Sequence, residues 1–137
     1  MLYDELSGTI LGTAMEVYRL IGSGFLESVY EHALALELTE RQIPFERSVP
    51  ITVKYKEAQV GEYPADFLVD GKIILEIKAT AALMAEHYGQ ALHYLTATRL
   101  RLALLLNFGA RSLQFKGIIR QAFDIRGIGG ICGVFVF

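Results

Sequence analysis

Asp66, Glu76 and Lys78 fall close together in the stretch Pro64-Ala65-Asp66-Phe67-Leu68-Val69-Asp70-Gly71-Lys72-Ile73-Ile74-Leu75-Glu76-Ile77-Lys78. Two apolar runs flank the turn signal Asp70-Gly71, and each run carries charge where a buried strand should carry none. A carboxylate inside an apolar strand is costly unless it is paired or holds a metal. Three such departures in one hairpin point to a site rather than to a packing accident. Two carboxylates and an ammonium can hold a hard cation and fix a positive charge beside it.

Strand alternation puts Glu76 and Lys78 on one face and Ile73, Leu75 and Ile77 on the other. The turn decides whether Asp66 joins them. A two-residue loop at Asp70-Gly71 pairs Asp66 with Leu75 and sends Glu76 to the opposite face. A three-residue loop Val69-Asp70-Gly71, with Gly71 left-handed, pairs Asp66 with Ile74. Asp66 and Glu76 are then diagonal neighbours within reach of one cation. The second register, or a bulge with the same effect, is the one expected.

The elements that must hold this hairpin can be read on either side of it. Leu6, Ile10, Ala14, Val17 and Ile21 keep helical spacing and predict a helix over residues 4–21, ended by Gly22-Ser23-Gly24. A second helix is expected from Leu26 to Gln42, with Leu26, Val29, Tyr30, Ala33 and Leu34 buried and Pro44 as its stop. Val49, Ile51, Val53 and Tyr55 alternate with Pro50, Thr52 and Lys54 as in a half-exposed strand, and Pro50 makes it an edge strand. The hairpin spans residues 59–79. A third helix covers residues 82–98, a buried strand 100–106, and a last strand 112–120 with Leu113 and Phe115 inward. The order α-α-β-β-β-α-β-β describes an α/β fold around a central mixed sheet flanked by helices. Residues 1–126 read as one domain. The Gly-rich apolar tail, residues 127–137, could add an edge strand, bury in a dimer or fray.

Two helices offer further side chains to the site. Glu27 and Tyr30 stand three apart at the start of the second helix and share a face. A carboxylate in a first helical turn is also favoured by the helix dipole alone, and Tyr30 also fits a core position. Glu86, Gln90 and Tyr94 recur every four residues on the third helix, directly after the strand bearing Glu76 and Lys78. Gln90 and Tyr94 could hydrogen-bond a phosphate or position Lys78, although a polar stripe is more often a solvated face. His87 and His93 read as structural or solvated. There is no His-x-x-His pair or cysteine cluster, which argues against zinc. No nucleophile elbow, Walker-type loop or dinucleotide fingerprint is present.

The chain has 137 residues, 53% of them apolar, enough for one core. Its net charge of −2 leaves no global basic footprint for a polyanion. The charge is unevenly spread: residues 1–70 hold 12 acidic and 5 basic side chains, and residues 71–137 hold 3 and 8. Arg99, Arg101, Arg111, Lys116, Arg120 and Arg126 in the second half could flank a phosphate path, against the simpler reading of solvated charges. Cys132 is the only cysteine, which fits a reducing compartment. No apolar run approaches the ~20 residues of a membrane span, and the N-terminus lacks signal-peptide character. A soluble cytoplasmic protein is expected.

Taken in order, Glu27 on a helix, Asp66, Glu76-x-Lys78 and Gln90-x-x-x-Tyr94 resemble the motif series of the PD-(D/E)XK nuclease superfamily, in its RecB-like branch. More closely, Gly24-x-x-Glu27-x-x-Tyr30, Ala65-Asp66, Glu76-Ile77-Lys78 and Asn107-Phe108-Gly109 look like the small proteins named for the GxxExxY motif, from about Leu6 to Arg120. The resemblance implies a restriction-endonuclease-like core and metal-dependent phosphodiester hydrolysis. It implies that Asp66 and Glu76 bind Mg²⁺ or Mn²⁺, with the backbone carbonyl of Ile77 completing the oxygen ligands and Glu27 binding directly or through water. Lys78 would orient or activate the attacking water, with Gln90, Tyr94 and Tyr30 in support.

Three functions compete at this level. A metal-dependent nuclease on DNA or RNA is motivated by the intact acid-acid-lysine set. A silent module that binds nucleic acid or a partner is motivated by the acidic balance and small size. A structural oligomer, such as a homodimer, is motivated by the apolar tail. A module that only binds phosphate has no need of carboxylates facing it, so hydrolysis leads.

Overall fold

The computed structural model describes residues 2–122 and 132–136. Among these residues, three helices and six strands follow in the order α1 (Asp4–Ile21), α2 (Glu27–Glu40), β1 (Phe45–Tyr55), β2 (Ala58–Val69), β3 (Ile73–Lys78), α3 (Ala85–Thr98), β4 (Leu102–Asn107), β5 (Gln114–Ala122) and β6 (Cys132–Val136). One mixed sheet runs β1-β2-β3-β4-β5-β6. Its only parallel pair is β3–β4, joined through α3. This is the α/β architecture around a mixed sheet expected from the element order, and it agrees with the restriction-endonuclease-like core that the resemblance implies. The sixth strand comes from the tail, whose residues 132–136 pair with β5 at the sheet edge. Arg126 and the remainder of the tail, residues 127–131 and 137, lie outside the described residues.

Both faces of β3 and β4 are covered, which is why their sequences are almost continuously apolar. On one face Ile73, Leu75 and Ile77, with Leu102, Leu104 and Leu106, pack against Ile10, Ala14 and Val17 of α1 and Tyr30, Leu34 and Leu38 of α2. On the other, Ile74, Ala103, Leu105 and Ile118 meet Ala91, Tyr94 and Leu95 of α3, with Ile51 and Ala65. Each fully buried side chain of this size contributes roughly 1.5–3 kcal/mol. The strands bearing Glu76, Lys78 and Asn107 therefore form the most firmly held part of the molecule.

Pro50 stands on β1, the edge strand, as expected. Four side-chain expectations are corrected. Leu26 is 77% exposed and Val29 38%, because α2 begins at Glu27 and buries its face in steps of four through Tyr30, Leu34 and Leu38. Ile21, at the last turn of α1, is 37% exposed, while Ser7 and Thr13 are buried. Their hydroxyls are satisfied by the carbonyls of Leu2 (3.3 Å) and Thr9 (2.8 Å), which lets polar residues join an apolar face. Phe115 is 41% exposed rather than inward, on the stretch of β5 before Ile118 that β6 does not pair with.

Candidate functional site

The β2–β3 ladder pairs Val69 with Ile73, Leu68 with Ile74 and Phe67 with Leu75. Neither loop weighed from the sequence is the one adopted. The connection is Asp70-Gly71-Lys72, with positive φ at Asp70 and Gly71. The Lys72 N–H donates to Val69 O at 3.0 Å and the Asp70 N–H to Pro44 O at 2.8 Å. Aspartate tolerates the left-handed region better than most residues, so this tight turn is cheap. The register is two residues away from the expected one, which preserves side-chain parity. Continued one step past Phe67↔Leu75, this register aligns Asp66 with Glu76, instead of pairing Asp66 with Ile74 and leaving it diagonal to Glu76.

At that point the sheet forks. Phe67 and Val69 pack on the α1/α2 side, whereas Ala65 packs on the α3 side, so alternation breaks at Asp66. The β1–β2 ladder is interrupted at the same level, between Arg47↔Phe67 and Val49↔Ala65, and Ser48 takes φ 51°. A left-handed non-glycine residue costs about 1–2 kcal/mol, a strain of the kind that collects at functional sites. Where the β2–β3 ladder ends, the Asp66 carboxylate substitutes for it: Oδ2 accepts the Ile77 N–H at 2.7 Å.

Glu76 is 3% exposed, and its Oε1 is buried with no hydrogen-bond partner. Burial first, and then the charge of Asp66, push its carboxyl up to about 8, with Lys78 pulling the other way. From α2, Glu27 at the mouth is also raised, chiefly by desolvation, with Lys78 opposing and Asp66 adding to the rise. Glu31 is raised to about 7 by burial, by the charge of Asp66 and a hydrogen bond with it, and by Glu27, while Arg47 acts against this. On the far side, Lys78 Nζ donates to Gln90 Oε1 at 3.3 Å, and Gln90 Nε2 donates to Tyr94 Oη at 3.0 Å. Burial and the neighbouring Glu76 and Asp66 raise the Tyr94 phenol.

Glu27, Asp66, Glu76, Lys78, Gln90 and Tyr94 are thus brought together at the fork. Tyr30 is not among them. It is fully buried, donates to Gly22 O at 2.6 Å, accepts the Phe25 N–H at 3.3 Å and stacks on Phe108 at 4.6 Å. It holds the loop from which α2 starts. His87 caps α3: its Nδ1 accepts the Met84 N–H at 2.9 Å. Arg99 and Arg101 precede Leu102, which pairs with Ile73, so they lie at the end of the sheet away from Lys78, roughly 16 Å along the strands. Arg120 is occupied there by the carbonyls of Leu100 and Arg99. Lys116 pairs with Leu105, which pairs with Glu76, so it sits in the same row two strands over, roughly 10 Å away. Arg111 lies in the connection leaving the Lys78 end of β4.

Sequence reasoning missed three contributors. Glu31 is one helical turn beyond Glu27, and that i, i+4 spacing was a legible signal. Arg47, which lies 5.5 Å over the Phe67 ring, and Tyr63, 6.2 Å from the Tyr94 ring, carried no local signal.

Among the described residues, no three His, Cys, Asp or Glu side chains are gathered closely enough to cage an ion as they stand. A hard divalent cation of the Mg²⁺ type does not need a cage, since it binds through one or two carboxylates, keeps waters and takes further oxygens from substrate phosphate. Asp66 and Glu76 fit that requirement, and the free buried Oε1 of Glu76 is the donor such an ion would satisfy. Carboxylates, a cation and a lysine held by an amide are the parts needed to hydrolyse a phosphate ester.

Comparison with known proteins agrees with this chemistry. The family profile of the PD-(D/E)XK nuclease superfamily matches residues 4–121. No curated protein and no solved structure gives a significant match.

Proposed function

Because the chain belongs to the PD-(D/E)XK nuclease superfamily, we propose that it hydrolyses phosphodiester bonds of DNA or RNA with Mg²⁺ or Mn²⁺. Within the superfamily, the Gly24-x-x-Glu27-x-x-Tyr30 and Asn107-Phe108-Gly109 motifs support a GxxExxY-type member of the RecB-like branch. The observation that carries the reading is the buried Glu76 carboxyl beside Asp66, whose Oε1 has no hydrogen-bond partner.

Asp66, Glu76 and the carbonyl of Ile77 would hold the ion, with Glu27 closing from α2. When bound, the ion supplies charge neutralisation at the phosphate and acidifies water. Asp66 is oriented by the Ile77 N–H, so one of its oxygens is fixed before any ligand arrives. Lys78 is an ammonium with three donors. One is committed to Gln90, leaving two to orient the attacking water and to meet a phosphate oxygen as negative charge develops. Gln90 is fixed in turn by Tyr94, so the amine is held by α3 rather than free in solvent.

The test is cleavage of labelled single- and double-stranded DNA and RNA with Mg²⁺, Mn²⁺ or EDTA, beside Lys78→Ala. Metal-dependent cleavage, reduced at least about 100-fold in the variant, is expected. Cleavage at the wild-type rate by the variant would remove Lys78 from the chemistry. Metal-independent cleavage, or none on any substrate, would count against the reading.

A further inference from the structure

Glu27 and Lys78 stand on different elements, α2 and β3, yet one buried unit touches the roots of both. The Phe108 N–H donates to the carbonyl of Lys78 at 2.8 Å. The Phe108 ring lies against Tyr30 with centroids 4.6 Å apart and planes 15° from parallel. Tyr30 follows Glu27 by one helical turn, and its hydroxyl bridges Gly22 O and the Phe25 N–H, fixing the loop from which Glu27 emerges. Both rings are fully buried.

Asn107 secures the other end. It is buried and fully engaged: Nδ2 donates to Thr80 O and to Gln114 Oε1 at 2.9 Å each, and Oδ1 accepts the N–H groups of Thr80 and Gly109 at 3.0 Å. A β-carbon on Gly109 would fall 2.4 Å from Thr80 N and 2.5 Å from the carbonyl carbon of Ala79. The chain leaving Lys78 is therefore clamped against the chain leaving β4, with no room for a side chain between them.

We propose that Tyr30 and Phe108, anchored by Asn107, are positioning residues that set the separation of Glu27 from Lys78. This rests on the nuclease reading above and adds to it which buried contacts bring the two halves of the site into register. A stack of two rigid rings suits this role, because aromatic pairs hold a preferred geometry as well as burying area. A displacement of about 1 Å in a catalytic group can cost on the order of 100-fold in rate.

The experiment is a double-mutant cycle on Mn²⁺ affinity by calorimetry, pairing Glu27→Gln with Phe108→Leu, with turnover of bis(4-nitrophenyl) phosphate at saturating Mn²⁺ as the second readout. Glu27→Gln is expected to weaken Mn²⁺ binding about tenfold in the wild type and less than twofold when Phe108 is Leu, because Glu27 is then already misplaced. Phe108→Leu should lower kcat about 100-fold per folded molecule with KM changed less than twofold, and Phe108→Tyr should restore it. Additive effects on affinity, or an unchanged kcat, would overturn the inference and leave the nuclease reading standing. A wild type that binds no Mn²⁺ would overturn both. Should Phe108→Leu not fold, Tyr30→Phe takes its place in the cycle, since it keeps the stack and removes only the two loop hydrogen bonds. The same non-additivity with Glu27→Gln is then expected, and additivity again overturns the inference.

Discussion

Glu76 is held in the folded protein with a carboxyl raised to about 8, and Glu31 with one raised to about 7. A carboxyl raised on folding binds its proton more tightly in the native state than in the unfolded one. Its stabilising contribution is complete below the unfolded value near 4.5 and is lost as pH rises through the folded value. With EDTA present, thermal stability should therefore fall between about pH 5 and pH 9, and Glu76→Gln should flatten that fall. At pH 8 the variant should melt a few degrees above the wild type, equivalent to about 1 kcal/mol; a pH profile unchanged by the substitution would count against a buried, desolvated Glu76. Cation binding runs the opposite way, because the ligand must be deprotonated, so Mn²⁺ affinity should rise from pH 6 to pH 8.5. At this scale much was legible. A carboxylate in an apolar strand is visible as an anomaly in any register, and so Asp66, Glu76 and Lys78 could be named. Glu31 shares the i, i+4 face of Glu27, a signal in the sequence, but a helix face rich in glutamate resembles an ordinary solvated one. Only the fold shows that this face meets Asp66.

The elements divide by how they specify themselves. α1, β3 and β4 were readable because periodicity alone fixes them, 3.6 in the helix and a nearly unbroken apolar run in each strand. The turn between β2 and β3 was not, since Asp70-Gly71 is compatible with several loop lengths, and the one adopted is held by contacts that include the Asp70 N–H to Pro44 O, remote from the hairpin itself. The inner face of α2 was half right for a related reason. Leu26 and Val29 look like a continuation of the stripe, but the loop held by Tyr30 starts the helix at Glu27 and turns them outward. Two glycines test how elements constrain substitution. Gly109→Ala should destabilise the protein by about 1–3 kcal/mol in urea unfolding, because its β-carbon meets backbone. Gly8→Ala, inside α1 with nothing within 4 Å, should stabilise it by about 0.5–1 kcal/mol. An equal response at the two positions would contradict the packing described.

Over the whole molecule, the acidic first half supplies Glu27, Glu31 and Asp66, and the more basic second half supplies Lys78, so the site forms only when α2, β2 and β3 meet. A ligand bound there should stabilise the entire fold. At a hundredfold excess over its dissociation constant, Mn²⁺ should add about 2.7 kcal/mol, read as a higher melting temperature that is absent in Glu76→Gln; an equal rise in the variant would place the ion elsewhere. Among the described residues no helix is long and apolar enough to cross a membrane.

The Ile77 amide also makes the site observable. Its hydrogen points at the Asp66 carboxylate rather than at a strand carbonyl. Charge-assisted hydrogen bonds of this kind are shorter and stronger than amide–amide ones. In a nitrogen–proton NMR spectrum this one resonance should stand downfield of its neighbours in β3 and shift when Mg²⁺ is added. A single backbone signal would then report the state of Asp66 without any substrate having been found.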